Sequence, residues 1–448
     1  MVTLYSKYDP ITKVQLESLA ANQYYGTGPS GEAGFFTLPT SSGSGGSVSD
    51  YVNYETCTTA AQVDDALNSG VKKLYLKEGI YNLSNSYNAY SGLDIIGEEP
   101  PMEPNTGVII NYSGGFLASG LGSKTWVDAT SVITGARSIE AVSAVNLSAG
   151  AVIVIGIMAN IVASDVVSST TIPLVFPIQS EAYTYADQDI EMTTYPNIMN
   201  NLRLKNLIIN DEGASGNFNR FGGSNIVLDS CYFPNTNYRA SDFGPIVNLD
   251  IINCHVENTG SNSGLSIRRS LNVRIHNLTG SCTTERLADI VDSYGIEISR
   301  INGGSLYVNG CRGVDIKDVN TDETDVASRA GLEISYCDHG IISNCEILNS
   351  YSTSGYGVEL TNLKNFRISN ITVPNIVNTS NKVSVSGLID CTAENCDFFP
   401  TTGTTASRPA MPSGGLLNFQ YYDTTLGKPI WWKQDGGDGW VDATGTTV

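Results

Sequence analysis

The sequence is poor in charged side chains, and most of the charge that it carries is of one sign. Only 16% of the 448 residues are charged, and 45 acidic residues outnumber 25 basic ones, for a formal net charge of −20. A protein that grips nucleic acid through its phosphates needs a basic face, so we expect no nucleic-acid partner. The same net charge favours solubility.

Patterns typical of membrane spans and metal sites are also missing. The most apolar run, residues 151–163, is too short to cross a bilayer and predicts buried strand, so we expect no membrane insertion. The nine cysteines form no CxxC pair with metal spacing, and there are only three histidines and no HExxH. We therefore expect neither a metal site nor a cofactor. The N-terminus lacks a basic start followed by an apolar core, which predicts no signal peptide.

Long helical patterns are scarce, whereas one strand-and-turn unit recurs through the second half of the chain. Each copy alternates apolar with other residues, places an Asn-like marker at its fifth position and continues with an apolar residue. The markers are Asn206, Ser230, Asn253, Asn277, Arg300, Asp318, Asn344, Asn370 and Asn395, at steps of 24, 23, 24, 23, 18, 26, 26 and 25 residues. Each coil of a solenoid can bury its apolar side only against its neighbours. The repeat therefore predicts an all-β fold, a right-handed single-stranded parallel β-helix.

The markers and the positions after them predict how the coils are built. Because Asn tolerates the left-handed conformation, we expect each marker to turn the chain and to hydrogen-bond an adjacent coil, with Asn344 and Asn370 buried. The next position holds either an aliphatic residue or a cysteine, namely Cys231, Cys254, Cys345 and Cys396. We interpret these cysteines as small, reduced, buried hydrophobic residues rather than disulfides, metal ligands or nucleophiles.

The start of the repeat resembles a known fold family. Residues 58–83 predict a helix that runs into a strand, with an apolar face and a stop at Gly70. The residues of that face are Ala61, Val63, Ala66 and Leu67. With the next strand at 91–98, this resembles the opening of pectate-lyase-like β-helices, where a helix caps the open end. The resemblance extends to about residue 400 and concerns fold more than chemistry. Residues 124–163 look like a module inserted in phage members of that group.

Both ends of the chain resemble phage fibre proteins. Residues 1–50, rich in Gly, Ser and Pro toward their end, look like the stem of phage tail fibres and predict a virion-attachment segment with a linker. The stretch YYDTTLGKPIWWKQDGGDGWVDATG resembles a terminal module of phage tail and head fibres. We thus expect an attachment segment at 1–50, a β-helix at 51–405 and a terminal module at 406–448. Its tryptophans, Trp431, Trp432 and Trp440, predict a mini-core or trimer contact rather than a sugar platform.

These resemblances imply a phage tailspike, a receptor-binding depolymerase of the virion. The resemblance implies a homotrimer, whose avidity is useful for cell attachment, and contact with phage tail or baseplate proteins through the N-terminus. Such a protein binds a bacterial surface polysaccharide, capsule or O-antigen, and cleaves it by glycoside hydrolysis. It is made in the host cytoplasm, in keeping with the missing signal peptide. A polysaccharide lyase on the same fold and a non-catalytic adhesin are the open alternatives.

Candidate site residues come from the strand register, since no family catalytic motif matches. The first strand of each coil carries one outward residue between two inward apolar ones. Stacked coil on coil, these outward residues form what we call the carboxylate column: Asp242, Ser266, Asp289, Tyr307, Glu333 and Glu359. Adjacent rungs lie ~4.8 Å apart. Acids and an aromatic ring on one face suit sugar cleavage and stacking, and the alternative interpretation is a solvated sheet face.

Rung spacing suggests roles within the column. Glu333 and Glu359 lie on successive rungs, so the distance between their carboxyl groups approaches the ~5–5.5 Å of a retaining glycosidase. Asp289 and Glu333 lie two rungs apart, which brings their separation near the ~6.5–9.5 Å of an inverting enzyme. We expect Glu333 to be the general acid, Asp289 the base, and Glu359 a residue that binds substrate or tunes Glu333. Tyr307 would stack under the sugar ring, and Asp242 would bind substrate.

Arginines concentrate in the middle coils of this otherwise acidic chain. Arg268 and Arg312 are the ones predicted to bind substrate, because a guanidinium can hold an anionic sugar such as a uronate bidentately. The alternative is that these arginines pair with neighbouring acids.

Overall fold

The computed structural model describes the strands at 23–27 and 33–37 and most of the chain from Asn53 to Val448. Within 53–448 it does not describe positions 84–86, 89, 102–105, 113–116, 119–123, 132, 134, 156–157, 179–188, 194–198, 212–219, 237–239, 259–262, 283–284, 324–329, 351–356, 374–382, 398, 400–401, 409–415, 417–418 and 434–438. The chain divides into two units, Met1–Asn53 and Tyr54–Val448. In the first, β1 (Gln23–Thr27) pairs antiparallel with β2 (Ala33–Thr37). The predicted attachment role of residues 1–50 stays a prediction.

The second unit is built on a parallel β-solenoid with three faces, here called A, B and C. Face A contains β6 (Tyr87–Asn88), β9 (Leu117–Ala118), the first residues of β18 (Arg220–Asp229) and β20 (Ser241–Ile252), β22 (Leu265–Arg268), β24 (Ala288–Val291), β26 (Leu306–Asn309), β28 (Leu332–Ser335), β30 (Val358–Thr361) and β32 (Val383–Ser386). Face B contains β3 (Glu55–Cys57), β4 (Lys73–Leu76), β7 (Asp94–Gly97), β16 (Met199–Lys205), the remainder of β18 and β20, and the first parts of β23 (Leu271–Cys282), β25 (Tyr294–Gly303), β27 (Arg312–Glu323), β29 (Asp338–Ser350), β31 (Lys364–Thr372) and β33 (Thr392–Cys396). Face C contains β5 (Gly79–Leu83), β8 (Val108–Tyr112), β17 (Ile208–Asp211), β19 (Tyr232–Thr236), β21 (His255–Asn258) and the last parts of β23, β25, β27, β29, β31 and β33.

Corresponding strands of successive coils pair in parallel on each face, which confirms the predicted parallel β-helix. The interior is filled by stacked apolar side chains, because alternate residues of each strand point inward. Within the described residues, no helix is long and apolar enough to cross a membrane.

The left-handed conformation predicted for the markers is confirmed. From Asn206 to Asn395, every marker has φ between 52° and 58°, Arg300 included, and turns the chain from face B to face C. Two further columns of left-handed residues were not predicted. One lies between faces A and B, at Arg269, Asp292, Gly310, Tyr336, Asn362 and Gly387. The other lies early in face B, at Asn201, Asn225, Asn248, Asn272, Gly295, Gly313, His339 and Asn365.

The predicted Asn ladder exists, but its rungs are formed at the surface. Asn370 Nδ2 donates to Asn344 Oδ1 at 3.0 Å, and Asn395 Nδ2 donates to Asn370 Oδ1 at 3.2 Å. Asn344 and Asn370 are exposed, so the expectation that they are buried is wrong. The turn puts these side chains outside the coil, where they bind one another rather than backbone amides. Asn206 differs, since it is buried and donates to the carbonyl of Gly97.

The burial predicted for the cysteines is confirmed. All nine are free and buried. Cys231, Cys254, Cys345 and Cys396 occupy the inward position after the marker, stacked among aliphatic residues. Burial raises the pKa of Cys345 to about 12, so its thiol stays protonated and unreactive at neutral pH.

The predicted capping helix is present as α1 (Ala60–Asn68). Thr59 and Gln62 form a capping box at its start, and Gly70 follows its end with φ +76°. Val63, Ala66 and Leu67 are buried as predicted, whereas Ala61 is exposed. The helix places its apolar face against the first coil, where strand interiors would otherwise meet water.

An antiparallel sheet of six strands interrupts the solenoid between β9 and β16. Its strands are β10 (Lys124–Ser131), β11 (Ser138–Leu147), β12 (Val152–Ile155), β13 (Met158–Ile161), β14 (Val166–Pro173) and β15 (Asp189–Thr193). It begins where the sequence suggested an inserted module and runs about 30 residues further (193 − 163). The apolar run at 151–163 forms its buried hairpin β12–β13. Its core packs on Val247, Leu271 and Tyr294, a column on face B.

The C-terminal residues form a small sheet of β34 (Thr402–Gly403), β35 (Gln420–Asp423), β36 (Lys428–Lys433) and β37 (Gly439–Val441), with a 3-10 helix at Thr405–Ser407. Trp440 is buried, and its ring contacts Trp432, Tyr421 and Phe419. The mini-core interpretation is thus confirmed for Trp440 and Trp432, and it stays a prediction for Trp431. Phe419 also contacts Phe399, which joins this core to that of the solenoid.

Candidate functional site

The carboxylate column assembles in the register that the sequence predicted. Asp242 pairs with Ser266, Ser266 with Asp289, and Asp289 with Tyr307 on successive strands of face A. Tyr307 then pairs with Glu333, and Glu333 with Glu359. The neighbours on each strand are fully buried, as alternation requires. Four carboxylates and a phenol therefore share one face of the solenoid.

Two residues inside the column are more deeply covered than its ends. Tyr307, Glu333 and Glu359 are partly exposed, whereas Ser266 and Asp289 are buried although they point away from the interior. Arg268, from the next outward position of β22, contributes to that cover: its Nε donates to Ser266 Oγ at 3.3 Å, and its Nη2 lies 3.6 Å from Asp289 Oδ2. The accessible residues of the column are Asp242 at its start and the segment from Tyr307 to Glu359.

Arg286 reaches across this accessible segment. It lies just before β24, in the coil of Asp289, and its guanidinium sits 3.7 Å from the centroid of the Tyr307 ring one coil further on. Its Nη2 donates to Glu333 Oε2 at 2.5 Å, two coils away. Both partners are largely shielded, with side-chain exposures of 11% for Arg286 and 17% for Glu333. The ion pair is therefore charge-assisted and poorly screened.

This contact changes the expected role of Tyr307. A sugar was expected to stack on its ring between Asp289 and Glu333, but the guanidinium of Arg286 covers one ring face. Cation–π contact of this kind holds the cation over the ring. A sugar that meets Tyr307 must use the other face or the hydroxyl edge.

The electrostatics of the column set Glu359 apart. Burial raises the pKa of the Glu359 carboxyl, the negative charge of Glu333 raises it further, and the positive charge of Arg286 works in the opposite direction. Burial also raises the pKa of the Tyr307 phenol, again with a contribution from the Glu333 charge. Two neighbouring carboxylates in a shielded site resist joint ionisation, so one of them tends to keep its proton.

The arginines form ion pairs with neighbouring acids, which was the alternative to the prediction that they bind substrate. Arg274 makes a bidentate contact with Asp250, at 2.9 and 2.8 Å. Arg312 opens β27 on face B and lies 3.0 Å from Asp338. It continues the column of Tyr294 just beyond the part covered by the inserted sheet, so the structure does not bring it to the carboxylate column.

Arg286 is the site residue that sequence reasoning did not select, although it belongs to the arginine-rich middle coils. A signal was present in the repeat. The equivalent positions of adjacent coils hold Ser263, Gly304 and Ala330, as the backbone pairing of the residues next to them shows. One long cationic side chain in a column of small residues has room to extend along the solenoid axis.

Comparisons with known proteins find similarity among solved structures only. No protein-family model matches the chain, and no curated protein does. Among solved structures, the chain is similar to the tailspike protein gp49 from Pseudomonas phage LKA1, with 12% identity, 79% of this chain and 76% of that chain covered, and a TM-score of 0.41. It is also similar to the Gp54 tailspike of Acinetobacter baumannii bacteriophage AP22, solved in complex with A. baumannii capsular saccharide (15% identity, 80% and 66% covered, TM-score 0.39). The Azotobacter vinelandii mannuronan C-5 epimerase AlgE4 A-module is a third, at 13% identity, 75% and 89% covered, and TM-score 0.33. At such identities and scores, the likeness is one of β-solenoid fold alone.

Proposed function

We propose that this protein is a phage tailspike that binds a bacterial surface polysaccharide and cleaves it by glycoside hydrolysis at the carboxylate column. The observation that carries the enzymatic part is the direct pairing of Glu333 with Glu359 on adjacent strands, one bound to Arg286 and the other with a raised pKa. Two carboxyl groups that differ in this way supply the acid and the nucleophile of a glycosidase.

The contacts favour a different division of roles from the one expected from the sequence. Glu333 already has a cationic partner, whereas Glu359 has the raised pKa, so the proton donor is Glu359 rather than Glu333. Adjacent rungs ~4.8 Å apart suit the ~5–5.5 Å of a retaining enzyme. Asp289, which the sequence suggested as the base of an inverting reaction, lies beyond the rung that Arg286 covers and contacts Arg268 instead.

The reaction then runs in two balanced steps. Glu359 gives its proton to the glycosidic oxygen while a Glu333 oxygen bonds to the anomeric carbon, and the leaving sugar departs as an alcohol. Glu359, now ionised, takes a proton from water, and the resulting hydroxide displaces Glu333 from the anomeric carbon. Asp242 and Arg268 would hold sugar units on the earlier rungs of the column.

The lyase alternative has less support at this site. An elimination needs a base and a cation beside the uronate carboxylate, and Tyr307 and Arg268 are the residues at the column that could serve. The raised pKa of Tyr307 makes its phenolate scarce at neutral pH, and Arg268 contacts Asp289. A non-catalytic adhesin would keep the same surface and bind without cleaving.

The assignment to a virion rests on the two ends of the chain. Residues 1–50 and the motif at 421–445 resemble phage fibre segments, so we propose a homotrimer joined to tail or baseplate proteins through residues 1–50. Light scattering at micromolar concentration should give three times the chain mass of 47.8 kDa. A monomer would contradict the spike.

The test of the enzymatic proposal is incubation with capsule or O-antigen from candidate hosts, followed by sizing of the products. Glu333→Gln and Glu359→Gln should each abolish cleavage while glycan binding and folding persist. Glu346→Gln is the matched control, because Glu346 is an exposed carboxylate on face C. It should behave as the wild type.

The mechanism is tested on the first products by proton NMR, which should show retention of anomeric configuration. Inversion would restore Asp289 as the base, and a rise in ultraviolet absorbance from an unsaturated sugar would indicate a lyase. Wild-type activity in Glu333→Gln would place the site elsewhere, for instance between subunits.

A further inference from the structure

We propose that Arg286 is the positioning residue of this site: from two coils away it holds Glu333 in place as the nucleophile, and its charge limits how firmly Glu359 keeps the proton that cleavage requires. The inference rests on the proposed hydrolysis at the carboxylate column and goes beyond it, because it assigns the orientation of the nucleophile and the proton affinity of the acid to a residue outside the column.

The path of the Arg286 side chain is built into the repeat. The equivalent positions in the next two coils are Gly304 and Ala330, which leave the space that a long side chain needs. Glu333 is two rungs from the coil of Arg286, a separation of about 9.6 Å along the axis. The Arg286 side chain spans it and lies midway over the Tyr307 ring, at 3.7 Å from the ring centroid. Lysine has no planar group to stack in this way.

The shielding of the pair makes the contact strong enough to direct the chemistry. Arg286 is 9% exposed, and its contact with Glu333 is short and charge-assisted. A guanidinium at this distance fixes the position of the carboxylate oxygen that it binds. Glu359 lies on the far side of Glu333, and its pKa is raised more by the Glu333 charge than the Arg286 charge lowers it. The charge of Arg286 therefore partly offsets the effect of Glu333 on the pKa of Glu359.

The arrangement also predicts the effect of removing Arg286. Its positive charge lowers the pKa of Glu359, against the larger effects of burial and of Glu333. Without it, the pKa of Glu359 rises further, and Glu333 loses the hydrogen bond that orients its oxygens. Activity falls because of poor positioning, and the pH range of activity moves upward because of the lost charge.

The experiment measures the pH dependence of kcat and KM for wild type, Arg286→Met and Arg286→Lys. Methionine keeps an unbranched stem against Tyr307 and removes the charge. We expect Arg286→Met to lower kcat by about 10²-fold, with KM nearly unchanged, and to move the basic limb of the kcat profile up by about one pH unit. Arg286→Lys should keep the limb near its wild-type position and recover part of kcat.

Arg274→Met is the matched control, because Arg274 makes a similarly short contact with Asp250 on face B. It should change neither kcat nor the pH profile. A fall in kcat without movement of the basic limb would overturn the inference and leave Arg286 a structural residue, as would a loss confined to KM.

A second measurement does not depend on cleavage. The carboxyl carbon of Glu359 is titrated by carbon-13 NMR in wild type and Arg286→Met, and assigned by its absence in Glu359→Gln. A higher midpoint in Arg286→Met supports the inference, and an unchanged midpoint refutes it, whatever the protein cleaves. If Arg286→Met does not fold, the comparison uses Arg286→Gln, which also removes the charge, and an unchanged midpoint refutes the inference there too. Failure of the wild type to shorten any host glycan refutes the proposed hydrolysis separately.

Discussion

Replacement of Asn370 tests whether the surface Asn ladder stabilises the solenoid. Asn370 donates one hydrogen bond and accepts another, at 3.0 and 3.2 Å, and holds φ at 54°. Exposed side-chain bonds of this kind contribute about 0.5 kcal/mol each, the lower end of the measured range. Alanine in the left-handed region costs about 1 kcal/mol more. Asn370→Ala should therefore lower the free energy of unfolding by about 2 kcal/mol. Asn370→Gly, which adopts this φ freely, should cost about 1 kcal/mol.

The two variants are compared with the wild type by urea denaturation followed by circular dichroism. Hydrogen exchange of the segment 364–373 then localises the effect to the coil. Equal losses in the two variants would refute the conformational part of the argument, because glycine and alanine would then tolerate the turn equally. An Asn370→Ala protein as stable as the wild type would show that the ladder contributes nothing.

Three further predictions concern packing and charge. Gly310→Ala should lower the free energy of unfolding by at least about 1 kcal/mol more than Gly427→Ala. The two glycines have nearly the same φ, 64° and 63°, so the backbone strain is matched. An added Cβ would lie 2.5 Å from Asp292 Oδ1 at Gly310, whereas at Gly427 it would meet nothing within 4 Å. Equal losses in thermal melts would mean that Asp292 moves aside without cost. The raised pKa of Glu359 means that its contribution to stability is present below the ordinary glutamate pKa of about 4.3 and is lost as pH rises through the folded value. Glu359→Gln should therefore raise the melting temperature at neutral pH and not at acidic pH, and a gain that is equal at both would rule out titration as its cause. The nine buried cysteines should resist thiol reagents in the native protein and react only after denaturation, and fast labelling of the native state would contradict the strand register.

Much of the fold was predictable because a solenoid repeats one local rule. Alternation along each strand decides which side chains point inward, and the nearly constant coil length stacks equivalent positions, so Asp289, Tyr307, Glu333 and Glu359 could be aligned from residue spacing alone. The marker spacing likewise located the left-handed turns. The same rule could not tell how deeply an outward side chain is covered, and so the burial of Ser266 and Asp289 was missed.

The sequence by itself determined the parallel β-helix, its register, the inward cysteines and the order of the acids along face A. All of these depend on residue spacing, which the chain carries locally. The tertiary structure alone decided that Arg286 crosses two coils to reach Glu333, that Arg312 lies on another face, and that the inserted sheet covers part of face B. Contacts of this kind depend on the reach and packing of side chains between coils. No period in the sequence encodes them.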